Sequence, residues 1–91
     1  MPITVRIPAP MQSLVGNAAC VDTEGATVAE VLARLDEAYP GLRRRVYDES
    51  GQLRRFLNVY VNQEDIRFRD GEATPVHDGD EVSIVPAVAG G

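Results

Sequence analysis

Lysine and tryptophan are absent from this 91-residue chain, and cysteine and histidine occur once each. All nine basic residues are therefore arginines, set against fourteen acids for a net charge of −5. That balance argues against a nucleic-acid partner, because gripping a phosphate backbone needs clustered cations. The only basic run, Arg43, Arg44 and Arg45, reads as a solvated helix edge. An acidic surface instead suits docking onto a basic partner. One cysteine leaves no internal disulfide framework and no paired-cysteine metal site. Aromatic residues make up 5% of the chain, too few for an aromatic-lined cofactor pocket. No apolar run has the length of a signal core or a membrane span, so the expected setting is cytoplasmic, with no membrane partner.

What is present fits one small domain with a two-layer core. Hydrophobic content of 44% and charged content of 25% are ordinary for a globular chain. Ile3, Val5 and Ile7 alternate with polar residues, the period of a half-buried strand, and Pro8 and Pro10 end it. Residues 12–17, QSLVGN, read as a turn or loose loop into a second strand at 18–22, antiparallel to the first. Within that strand Ala19 and Val21 are expected to face inward and Cys20 outward. Thr27 and Glu30 have capping-box spacing. Val28, Val31, Leu32 and Leu35 then form one apolar stripe of a helix that Pro40 and Gly41 stop. A short helical turn and an exposed loop at 48–52 follow. FLNVYVN sets Leu57, Val59 and Val61 on one face of a strand. EDIRF predicts a short strand after a turn at 62–64, HDGD a turn, and residues 81–85 the last strand. This order predicts an α+β fold of the β-grasp, ubiquitin-like roll type. It has a mixed sheet of four to five strands, one main helix across it, and the first and last long strands parallel at the centre.

The residue types that usually carry chemistry are not assembled into a site. His77 stands in a turn with no serine or cysteine in a recognisable motif around it. Cys20 has no basic neighbour in sequence to activate it. The acids Glu64, Asp65, Asp78, Asp80 and Glu81 lack the spaced oxygen ligands of a calcium loop and read as solvated turn carboxylates. No glycine loop is built to cradle phosphate. The chain is expected to hold no cofactor and no metal of its own, and not to be an enzyme.

The ending, Pro86, Ala87, Val88, Ala89, Gly90 and Gly91, is different in kind. It carries no side-chain charge and nothing larger than valine after the proline. Pro86 lacks an amide donor, so the chain is expected to leave the sheet near it. Residues 1–86 then form the domain and residues 87–91 a slim arm. Such an arm can thread a channel that larger side chains would block, and glycine permits close approach.

With those elements in place, the chain resembles the MoaD/ThiS sulfur carriers, and among them the CysO-type carriers of cysteine biosynthesis. The resemblance is strongest in RRFLNVYVNQEDIRF, residues 54–68, and DGDEVSIVPAVAGG, residues 78–91. It implies a β-grasp fold with Gly91 as the reactive residue. An E1-like enzyme of the MoeB/ThiF/MoeZ type adenylates the Gly91 carboxylate with ATP, and a sulfur donor displaces AMP to leave a thiocarboxylate. Gly90 gives entry to partner active sites, and Pro86, Ala87, Val88 and Ala89 form the arm that partners grip. The implied acceptor is a pyridoxal-phosphate-dependent cysteine synthase, with a metalloprotease to release cysteine. The alternative acceptor is the large subunit of molybdopterin synthase. A ubiquitin-like modifier joined to target lysines uses the same activated tail; without lysine, this chain cannot link to copies of itself through lysine. The free protein is expected to be a monomer.

Overall fold

The computed structural model describes residues 2–86. The strands are β1 (Ile3–Arg6), β2 (Cys20–Thr23), β3 (Leu57–Val61), β4 (Glu64–Asp65) and β5 (Glu81–Pro86). The helices are α1 (Val28–Ala38) and the short α2 (Leu42–Val46). The five strands form one mixed sheet in the order β2-β1-β5-β3-β4. As expected, β1 and β5 are parallel at its centre, with Val5 opposite Val82. Both neighbours of this pair run antiparallel: β2 against β1 and β3 against β5.

Alternation decides which face is buried. Val5, Val59, Val82 and Ile84 lie on one side of the sheet and join the α1 stripe of Val28, Val31, Leu32 and Leu35 in a single core. Each fully buried residue of this size contributes about 1.5–3 kcal/mol through removal of apolar surface from water. The helix start is as the spacing predicts, with one shift. The Glu30 amide donates to Thr27 Oγ1 at 3.2 Å, while Glu30 Oε1 accepts from the amide of Ala26, not Thr27, at 3.4 Å. Gly25 lies so close over the helix that a Cβ there would stand 2.9 Å from the Val31 nitrogen. At the other end, the Asp36 carboxylate accepts from the amides of Gly41 and Arg43. This side chain ties the exit of α1 to the start of α2, and Gly41 makes the corner at φ 99°.

The structure corrects three local expectations. Residues 12–17 are not a loose loop: a 3-10 helix spans Ala9–Val15, capped by left-handed Gly16, because Met11 and Val15 are drawn into the core. The second strand begins at Cys20, not at residue 18, and Ala19 is exposed. Only its carbonyl engages the sheet edge, accepting from the Ile7 amide. EDIRF keeps only a two-residue strand before turning into a 3-10 helix at Ile66–Phe68, which buries Ile66. The β3–β4 connection is a tight hairpin through Asn62 and Gln63, both left-handed at φ 49° and 76°. That geometry matches the twist of the flanking strands but strains an ordinary residue such as Gln63.

Candidate functional site

Pro86 is the last described residue of β5 and stands opposite Leu57 of β3. The candidate residues Ala87, Val88, Ala89, Gly90 and Gly91 lie outside the described residues. The site is therefore built from what surrounds the strand end. Proline has no amide to donate, and the preceding pair, Val85 with Asn58, belongs to the uncovered sheet face. Val85 is 40% exposed and Phe56, one residue before β3, is 54% exposed. Two of the three large apolar side chains exposed among the described residues thus flank the strand exit; the third is Phe68.

Arg67 fixes this corner. Its guanidinium donates to the Leu57 carbonyl at 2.8 Å and the Arg54 carbonyl at 3.3 Å. It also donates to Asn58 Oδ1. Asp65 accepts from the Arg67 amide, which sets the start of the 3-10 helix carrying that arginine. One side chain thereby holds the segment that lines up against Pro86. Sequence reasoning missed Arg67, since its partners lie about ten residues away across a hairpin and no local spacing signals them.

The opposite end of β5 is held by a different network. Asn62 donates from Nδ2 to Asp80 Oδ1 and accepts from the Glu81 amide through Oδ1. Asp80 Oδ2 accepts from the His77 amide. The Asn62 hydrogen bond, followed by that of His77, holds the Asp80 carboxyl below the usual carboxylate range. His77 is exposed and enters this turn through its backbone. Beside it on the open face, Arg6 pairs with Glu81 at 3.0 Å, which raises the arginine further.

Cys20 is exposed on edge strand β2. Its basic neighbour is in space and not in sequence, since Arg6 stands opposite it in the ladder, but Glu81 already holds that guanidinium. Among the described residues, no group of three or more His, Cys, Asp or Glu is placed to hold a metal. No described helix is long and apolar enough to cross a membrane. Burial, with Glu72 adding to it, pushes the Tyr47 hydroxyl up to about 12. Arg43 lies 6.0 Å from its ring.

The β-grasp architecture described above has counterparts among known proteins. The ThiS family model matches residues 5–91. The chain belongs to the ThiS family. Within the family it is CysO-like: it is 45% identical over 93 residues to the sulfur carrier protein CysO of Mycobacterium tuberculosis, covering all of both chains. The crystal structure of M. tuberculosis CysO matches with a TM-score of 0.91 and 43% identity, over 94% of this chain and 99% of the other. The Amycolatopsis orientalis BexX/CysO complex matches with a TM-score of 0.90 and 43% identity, over 98% of this chain and 99% of the matched one. Small archaeal modifier protein 3 of Haloferax volcanii is 38% identical over 94 residues, all of both chains. The β-grasp fold of this ThiS family member is thus the fold of the CysO structures.

Proposed function

We propose that the protein is a sulfur carrier that delivers sulfur, as a thiocarboxylate on Gly91, to cysteine biosynthesis. The observation that carries this reading is the full-length similarity to CysO, on a fold whose last strand ends five residues before Gly91. Residues 1–86 act as the handle and residues 87–91 as the arm that enters partner active sites.

A carboxylate resists nucleophiles because of its own charge, so it must first be activated. A Gly91 carboxylate oxygen attacks the α-phosphorus of ATP in an E1-like partner and pyrophosphate leaves. Hydrosulfide then attacks the acyl carbon and AMP departs. With hydrosulfide the products are the thiocarboxylate, AMP and one proton. The soft anionic sulfur is then presented to a pyridoxal-phosphate-dependent synthase carrying an activated serine, and a metalloprotease frees the cysteine. ATP and metal chemistry belong to these partners, and the carrier supplies delivery. The BexX/CysO complex supports the idea that a carrier of this shape is held by a separate protein.

The test is intact mass with fragmentation after incubation with the same organism's E1-like enzyme, ATP and sulfide. The expected result is one oxygen replaced by sulfur at Gly91, lost when Gly91 is deleted, with the melting temperature unchanged. Fragmentation is required because oxidation of Met1, Met11 or Cys20 gives nearly the same nominal shift. An unmodified carboxylate under these conditions overturns the reading.

The similarity to a Haloferax modifier favours a second role, attachment of Gly91 to lysines of other proteins. It would show as a Gly91-dependent ladder in extract of the native host. The ladder's absence under all growth conditions removes that role.

A further inference from the structure

At the exit of β5, Pro86, Leu57 and Phe56 form one wall of an open groove of about 480 Å³, and Pro8, Pro10 and Met11 form part of its lining. The floor is apolar and the rim is not. Arg45, Arg54 and Arg55 stand around it with a single carboxylate, Asp48. That carboxylate is already engaged, accepting from the amides of Ser50 and Gln52 and from the Ser50 hydroxyl. The Ser50 hydroxyl and these amides hold it below its ordinary range. Arg54 is partly engaged as well, donating from Nε to the Arg44 carbonyl. Arg45 and Arg55 have no ion pair among the described residues, whereas Arg6, Arg43 and Arg69 each have one. In a chain of net charge −5, this groove is a local reversal of sign.

We propose that this groove is a docking site for a segment of the activating enzyme bearing one large apolar side chain flanked by carboxylates. The proposal rests on the sulfur-carrier reading and names the surface by which the arm's first enzyme recognises its owner. Charge complementarity selects the occupant: unpaired guanidiniums at an apolar floor fit carboxylates around an apolar anchor. The position fits it too, because Pro86 is both the groove's wall and the root of the arm. An enzyme segment seated here meets the chain at Pro86, the last residue of β5. The apolar anchor accounts for affinity, and the arginine rim accounts for orientation and association rate.

The test uses the full chain and the same organism's E1-like enzyme, with binding measured by calorimetry and adenylation by pyrophosphate release. The variants are Phe56→Ala and the double variant Arg45→Glu/Arg55→Glu. Arg34→Glu, on the exposed face of α1, is the control. The expected result is a rise of roughly tenfold in both Kd and KM for each groove variant, with kcat within about twofold. Melting temperature and the control's constants should match the unsubstituted protein. Added salt should weaken binding of the unsubstituted protein more than that of the double variant. Unchanged Kd and KM in the groove variants overturns the proposal. A lowered KM in the double variant also overturns it, because the chain's own carboxylate would then be the occupant being released. Self-association that Arg45→Glu/Arg55→Glu abolishes overturns it in favour of a second copy. Binding without adenylation would sink the carrier reading alone and leave the groove to be judged by Kd. No binding at all removes both.

Discussion

The two ends of β5 are built in opposite ways. At its start, Glu81 is held by Asn62 through side chain and backbone, and Asp80 locks the preceding turn to both Asn62 and His77. Arg6 adds an ion pair from the neighbouring strand. At its finish, Val85 and Pro86 are exposed, and Pro86 lines a groove with the apolar Phe56, Leu57 and Met11 and with Arg45 and Arg55, which have no ion pair among the described residues. Between the ends, Val82 and Ile84 anchor the strand in the core. The strand is thus fastened at one end and in the middle, and left plain at Val85 and Pro86.

The largest effect should come from the anchor in the middle. Ile84→Ala leaves a cavity under α1 and should cost about 2–5 kcal/mol in urea unfolding. Thiocarboxylate formation should persist wherever the variant remains folded. A loss much below that range would mean that the core collapses around the site.

At the fastened end, Asp80→Asn should lower the melting temperature at neutral pH and have little effect in acid. A depressed folded-state carboxyl contributes stability that is present above its unfolded value. That contribution is lost as pH falls through the lower, folded value. The gap between the two proteins should therefore close as the pH drops below the ordinary carboxylate range. A gap that is constant with pH would assign the effect to lost packing and not to charge.

The smallest effect belongs to the plain end. Val85→Thr keeps the β-branched shape on an exposed strand position and should change stability by no more than about 0.5 kcal/mol. A larger loss would show that the exit is fastened after all.

Much of this was readable from local pattern. Ile3 and Val5, the α1 stripe, and Val59 and Val61 each announce their buried face by period alone, because alternation and the helical repeat are properties of the backbone. The acid–base balance and the lone cysteine are likewise plain in the sequence. Local pattern failed where a residue's role depends on something distant. Residues 12–17 look like a loop because Gln12, Ser13, Gly16 and Asn17 outnumber Leu14 and Val15, and the burial of Met11 and Val15 depends on the core above them. Ala19 follows the right parity for burial, but the ladder starts one residue later.

By itself, then, the sequence determined the order of the long strands and of α1 and the buried faces of β1, α1 and β3, since these depend on neighbours within one or two turns of chain. Only the tertiary structure decided that Arg67 braces Leu57, that Asn62 and Asp80 fasten the start of β5, and that Arg45 and Arg55 meet Phe56 and Pro8 in one groove. Leu57 and Arg67, Asn62 and Asp80, and Pro8 and Phe56 are separated by roughly ten to fifty positions of chain and share no period. Their meeting is set by strand register and by the parallel pairing of β1 with β5, which no local spacing encodes.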